Sequence, residues 1–149
     1  MIRLLQAAEF VLRASVILAV STGLANAQSA ETGFKTPSGN IYCVIEPPVD
    51  NHSVSDLRCD IMQMTSKAPP APKNCPLSWG DAFAITQDGN LAIRVCHGDT
   101  VKNDELMVLA YGTQWHQGGY SCGSETTGLT CTNAKGHGFS LSKAVQKLF

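Results

Sequence analysis

Tyr111-Gly112-Thr113-Gln114-Trp115-His116-Gln117-Gly118-Gly119-Tyr120-Ser121-Cys122-Gly123-Ser124-Glu125-Thr126-Thr127-Gly128-Leu129-Thr130-Cys131-Thr132-Asn133-Ala134-Lys135-Gly136-His137-Gly138-Phe139 is the stretch whose reading decides the fold. It carries two of the six cysteines and one of the two tryptophans of the chain. Its centre reads as a hairpin. Tyr120-Ser121-Cys122 and Leu129-Thr130-Cys131 are short strand-like runs, with Gly123 to Gly128 as the turn between them. Cys122 and Cys131 then lie opposite each other, where a disulfide can clamp the pair.

The chain upstream follows the same grammar. Pro37 and Gly39-Asn40 make a turn that leads into Ile41-Tyr42-Cys43-Val44-Ile45, a β-branched and aromatic run ended by Pro47-Pro48. Leu57-Arg58-Cys59-Asp60-Ile61 alternates apolar and polar, so Leu57, Cys59 and Ile61 share an inward face, as do Ile41, Cys43 and Ile45. Two such strands invite a Cys43–Cys59 bond. Ala68-Pro69-Pro70-Ala71-Pro72 is a stiff, extended spacer across the surface. Trp79 re-enters the fold as a core anchor. Phe83 to Gln87 and Asn90 to Val95 flank Asp88-Gly89, which predicts a tight hairpin with positive φ at both turn residues. Cys75 is left to pair with Cys96. Six cysteines allow fifteen pairings, and this sequential set is a preference among them. Three turn glycines each lead into a cysteine-bearing strand (Gly39, Gly89 and Gly128), which reads as hairpin grammar ahead of an old repeat. Leu106 to Tyr111 reads as a central strand buried on both faces, with a single helical turn as the competitor. Leu141 to Phe149 reads as a short C-terminal helix capped by Ser140 or Ser142. The expected fold is therefore mainly β: small disulfide-stapled antiparallel hairpins, sandwich or barrel-like, with one short C-terminal helix.

The first 27 residues have the character of an export signal. Arg3 and Arg13 precede an apolar run from Ala14 to Leu24, and Ala25-Asn26-Ala27 fits a cleavage site. The run is shorter than the roughly 20 residues of a membrane span, so an uncleaved anchor is the weaker reading. Residues 28–33 then form a flexible leader and 34–149 a single domain. The whole chain has a net charge of −1. Loss of Arg3, Arg13 and Glu9 with the signal leaves it slightly more acidic. That balance argues against nucleic acid, whose binders carry basic patches, and against gripping an anionic membrane. An even cysteine count behind an export signal reads as a disulfide framework formed in the periplasm or outside the cell. Free thiols and a zinc site are the alternatives, the latter weakened by the lack of any Cys-x-x-Cys pair. Asn51-His52-Ser53 fits the N-glycosylation pattern, a short match common by chance.

The chain resembles a family of small exported bacterial proteins that share a domain of unknown function. The resemblance spans Phe34 to Phe149. It rests on Phe-x-Thr-Pro-Ser-Gly-Asn-Ile-x-Cys at Phe34 to Cys43, Leu-Arg-Cys-Asp-Ile at Leu57 to Ile61, Trp79 to Phe83, Cys96 to Thr100, Leu109 to Gly112, Gly128 to Asn133 and Gly136 to Ser142. It implies export and a single domain, and it supplies no catalytic residue.

Candidate chemistry is sparse. His52, His97, His116 and His137 invite a metal, yet no spacing matches a ligand motif and no cofactor motif is present. No nucleophile elbow occurs. Asp99 with Asp104 or Glu105 could form a carboxylate pair for glycoside hydrolysis, but acids in exposed turns are ordinarily just solvated. Tyr111, Trp115, His116, Tyr120, Asn133 and His137 lie in or beside glycine-rich turns and offer aromatic faces with polar groups, as recognition surfaces do. The expected function is a non-catalytic binding or interaction module for an envelope component, glycan or protein. The alternatives are an inhibitor of an exported hydrolase and a small hydrolase using His97, Asp99, His116 and His137. Export predicts that the mature protein begins at Gln28. Intact-mass measurement on secreted or periplasmic material checks this, and a chain that still starts at Met1 refutes it.

Overall fold

The computed structural model describes residues 32–48 and 56–149. The expected signal, most of the leader and the Asn51-His52-Ser53 site lie outside the described residues.

Ten strands follow one another: β1 (Gly33–Lys35), β2 (Ile41–Glu46), β3 (Asp56–Ile61), β4 (Ser78–Thr86), β5 (Ile93–His97), β6 (Thr113–Gln117), β7 (Tyr120–Glu125), β8 (Gly128–Asn133), β9 (Gly138–Leu141) and β10 (Gln146–Leu148). They form two five-stranded sheets, ordered β1-β2-β3-β4-β5 and β10-β9-β8-β7-β6. Each is an antiparallel meander in which sequence neighbours pair, so little loop entropy opposes it.

The alternation read from sequence sets the registers. Cys43 pairs with Cys59 across β2 and β3, and Cys122 with Cys131 across β7 and β8. Both pairs have their Cα atoms 4.1 Å apart, close to the narrow spacing of a non-hydrogen-bonded cross-strand pair. All three disulfides of the sequential set form, the third between Cys75 and Cys96. The Sγ atoms of Cys43, Cys59 and Cys131 lie within 4.8 Å of one another, so the staple of one sheet touches the staple of the other. Around them Phe34 meets Trp115 at 5.0 Å between ring centroids, and Phe83 meets Phe139 at 6.4 Å. One hydrophobic cluster thus draws on both sheets.

Several expectations are corrected. The C-terminal segment is no helix. Ser142 N–H donates to the Val145 carbonyl and Ser142 Oγ accepts from Val145 N–H, so the residue expected to cap a helix closes a turn instead. β10 then pairs with β9. Nine residues cannot hold an isolated helix, whereas a free strand edge satisfies their backbone at once. Leu106 to Tyr111 is not a central strand either. It makes a single parallel bridge, Val108 to Lys35, which covers the free edge of β1. Of that run Leu109 is buried, and Met107 and Val108 are exposed.

Asp88-Gly89 does not form the tight turn. Gly89 lacks a positive φ; the turn sits one residue earlier, with Gly89 N–H donating to the Thr86 carbonyl at 3.2 Å, and Asn133 Nδ2 holds it by donating to the carbonyls of Thr86 and Gly89. The two-residue turn with positive φ occurs instead at Gly118-Gly119, at 59° and 81°, between the paired Gln117 and Tyr120; only residues tolerant of that region fit there. The β7–β8 turn shrinks to Thr126-Thr127, with Gly123 to Glu125 joining the strand. Gly33, assigned to the leader, opens β1. Trp79 is half-buried, not a core anchor; its Nε1 donates to the Pro69 carbonyl at 3.1 Å, which lays the proline run along β4.

Burial, not loop length, ranks the disulfides. The Cys75–Cys96 loop spans 21 residues against 16 for Cys43–Cys59. In the chain-entropy model that difference is worth only about 0.2 kcal/mol. Cys43 and Cys59 are fully buried against the other staple, so their loss also opens a cavity. The Cys43→Ala/Cys59→Ala variant is expected to lose more stability than Cys75→Ala/Cys96→Ala in denaturant unfolding, by about 1–2 kcal/mol. Equal losses, or the reverse order, contradict this ranking.

Candidate functional site

Alternation places Tyr42, Arg58 and Asp60 on the outer face of the first sheet, where solvent is expected. They are buried, because residues 98–109 cross that face as a strap. Arg58 is the hub. Its Nε and Nη2 donate to the two carboxylate oxygens of Asp60 at 2.9 and 3.2 Å. Nη1 reaches Glu46 and Asp99, each at 3.2 Å, and Nη2 reaches the Asp99 carbonyl at 2.9 Å. Val101 N–H donates to Asp60 at 3.0 Å. Farther along, Tyr42 and Lys102 both donate to Asp104 at 2.6 Å, and the backbone of Lys35 bonds Met107 and Leu109. The carboxylates considered for hydrolysis, Asp99 and Asp104, are therefore tied to cations and a phenol that hold the strap down.

His97 closes the strap's first turn. Its Nδ1 faces the Asp99 carbonyl at 2.5 Å and its Nε2 faces the Asp81 carboxylate at 2.9 Å. Both partners are acceptors, an arrangement that suits the protonated ring, in which both nitrogens donate. Burial alone pushes its pKa down, but the Asp81 and Asp99 bonds and the negative charges of Asp81 and Asp60 outweigh this and raise it. Both nitrogens are thus engaged within the fold. His116 on β6 and His137 in the β8–β9 turn make no hydrogen bond or ion pair to this group through their side chains among the described residues. His52 lies outside the described residues. The one cluster of metal-type ligand atoms among the described residues is the sulfur group of Cys43, Cys59 and Cys131, already oxidised.

The expected binding residues separate. Trp115 is 7 % exposed and packs on Phe34. Tyr120 is buried, which pushes its phenol up to about 12, with the nearby charges of Asp56 and Asp88 adding to this. Asn133 is buried and spent. Besides its two donated bonds, its Oδ1 accepts from the N–H groups of Lys135 and His137 at 3.0 and 3.1 Å. It clamps the β8–β9 turn to the β4–β5 loop. His116 is exposed and His137 half-exposed. Tyr111 lines an open cavity.

That cavity is an open cleft of about 540 Å³ at one end of both sheets. Four turns or strand ends wall it: the β1–β2 turn, Met62 and Gln63 after β3, Glu125 to Gly128, and Ser142 to Ala144, with Tyr111 beside them. Asn40 fixes one wall, donating to the Gln63 carbonyl at 3.1 Å and accepting from Gln63 N–H at 2.9 Å. Lys143 ties across to it, donating to Gln63 Oε1 at 3.2 Å while its carbonyl accepts from Thr65 N–H at 2.8 Å. Sequence reading passed over these residues because they come from turns far apart in the chain, each an ordinary polar turn by itself. A second cavity, about 520 Å³, is apolar and lies beside the Cys75–Cys96 bond between Trp79, Ile93 and Leu148.

The His97 arrangement has a pH signature. Its folded pKa is raised above the unfolded value of about 6.5. Its contribution is therefore fully present below that pH and is lost as pH rises through the folded value. Urea unfolding across about pH 6 to 9 is expected to show falling stability, with a shallower fall in Asp81→Asn. A flat profile in the parent chain rules this arrangement out.

No curated protein and no solved structure matches the chain. Residues 12–149, a span that takes in the whole strap, both staples and every wall of the cleft, match the Family of unknown function (DUF6636), and the chain belongs to that family.

Proposed function

We propose that this protein is an exported, non-catalytic binding module, a two-layer β-sandwich that takes its ligand in the cleft at one end of the sheets. The observation that carries the reading is the cleft itself: a concave site within the size range of small-ligand pockets, about 300–1,000 Å³, whose walls are cross-tied by Asn40, Gln63 and Lys143. Three disulfides are typical of proteins that fold outside the reducing cytosol. The binding surface moves from the Trp115–His137 loops to the cleft, because Trp115, Tyr120 and Asn133 are taken up by packing and clamping.

The hydrolase alternative draws less support. His97 has both nitrogens engaged, and Asp99 is held by Arg58. The inhibitor alternative needs a protruding rigid loop, but the strap lies flat against its sheet and the proline run of the β3–β4 connection is tied to β4 through Trp79.

The test is a titration of the isotope-labelled mature protein with soluble cell-envelope fractions, separated into glycan, protein and lipid pools, read by amide NMR. At least one pool is expected to shift the amides of residues 36–41, 62–63, 125–128 and 142–144 together, without being consumed. Silence of these amides toward every pool, or turnover of a pool, sinks the proposal.

A further inference from the structure

We propose that the cleft is a carbohydrate subsite for a short, uncharged oligosaccharide, with the Tyr111 ring as its stacking platform; this rests on the binding reading above. Three observations converge. First, Tyr111 is 42 % exposed, yet the backbone on either side of it is held. Gly112 N–H donates to the Ser124 carbonyl at 2.7 Å, and Thr113 bonds Ala110 through both N–H and hydroxyl. An aromatic face on a fixed turn costs little ordering when a ligand stacks on it.

Second, the cleft keeps polar groups in reserve. The hydroxyls of Thr126 and Thr127, the Glu125 carboxylate and the Gln63 side-chain N–H₂ line it and have no partner within the protein among the described residues. They mix donors with acceptors, as the hydroxyls of a sugar ring do. The groups that build the wall, Asn40 and Ser142, are already bonded, so recognition and scaffold are carried by different side chains.

Third, the charges balance. Glu125 and Lys143 are the charged residues of the lining, one of each sign, and they leave no net charge to hold an acidic polymer or a cation. The cavity at Trp79 is mostly apolar, and its one charged lining residue, Arg94, is unbalanced by a carboxylate.

The experiment titrates the mature protein with N-acetylglucosamine oligomers, cello-oligosaccharides and oligogalacturonate, read by amide NMR and calorimetry. A neutral oligomer is expected to bind saturably at millimolar concentration and to shift residues 111–113 and 125–128. Tyr111→Ala is expected to weaken it about tenfold, close to 1.4 kcal/mol. Thr127→Arg is expected to abolish it by filling the cleft, and His116→Ala, on exposed β6, to leave it unchanged. Binding of oligogalacturonate alone, shifts confined to other surfaces, or full affinity in Tyr111→Ala overturns the inference. Cleft amides that answer only a non-saccharide envelope pool overturn it while leaving the binding reading intact. Cleft amides that answer nothing end both.

Discussion

The contact between two disulfides at the centre of the core is the constraint on which the rest of the molecule depends. Cys43–Cys59 joins the second and third strands of one meander, and Cys122–Cys131 the second and third of the other. The sulfurs of Cys43, Cys59 and Cys131 lie within 4.8 Å of one another, so each sheet is locked in register where it meets its partner. A strand slip of one residue would turn every inward side chain outward, and a covalent cross-strand bond forbids the slip. A chain this short buries a modest share of its surface. With the staples at its centre, the flanking rings of Phe34, Trp115, Phe83 and Phe139 close the layer without a helix.

The second consequence falls on the opposite face. A sheet with one face on the core normally leaves the other to water. Here Arg58 and Asp60 stand on that other face and are nonetheless buried, because the strap lies over them. A buried ion pair stabilises little relative to apolar packing, but stripping one partner costs about 3–5 kcal/mol. The pair therefore acts as a condition on the strap: the strap must supply the Asp99 carbonyl and the Val101 N–H, or buried polar atoms go unmatched. His97 adds its own two bonds at the strap's start. Titratable groups that look like catalytic material in the sequence are consumed in fastening this loop.

Local rules were legible where they acted locally. The cysteine-bearing strands Ile41 to Ile45 and Leu57 to Ile61, the inward faces of β2 and β3, and the extended proline run all follow from alternation and stiffness. The failures share a cause: a distant partner overrode the local preference. Asp88-Gly89 is a good tight turn in isolation, but Asn133, 44 residues on from Gly89 in sequence, binds the Thr86 and Gly89 carbonyls, and the turn settles on Gln87-Asp88. Leu141 to Phe149 has an apolar side that suits a helix, but β9 offered a free edge. Trp115 and Tyr120 sit among glycines as a recognition loop would, but they face the core because Gly118-Gly119 folds β6 back on β7. The repeated turn-glycine-to-cysteine pattern does not mark a duplication either. Cys43 lies on the second strand of its sheet and Cys131 on the third of its own, so the echoes do not superpose, although the two meanders match in strand order.

The cleft was illegible for a deeper reason. In a meander, all turns at one end of a sheet gather together however far apart they are in sequence. The β1–β2, β7–β8 and β9–β10 turns and the end of β3 are brought to a common rim. No single turn carries a signature, because the site is a property of the rim. The same geometry explains why the walls of the cleft separate from the stability elements. The staples and the strap act at the middle and on the outer face of the sheets, so the turn tips carry few packing duties. Thr126 and Thr127 stand between the paired Glu125 and Gly128 and contribute to neither core nor strap. Their side chains are free to vary in chemistry while the backbone beneath them stays fixed by the paired residues on either side.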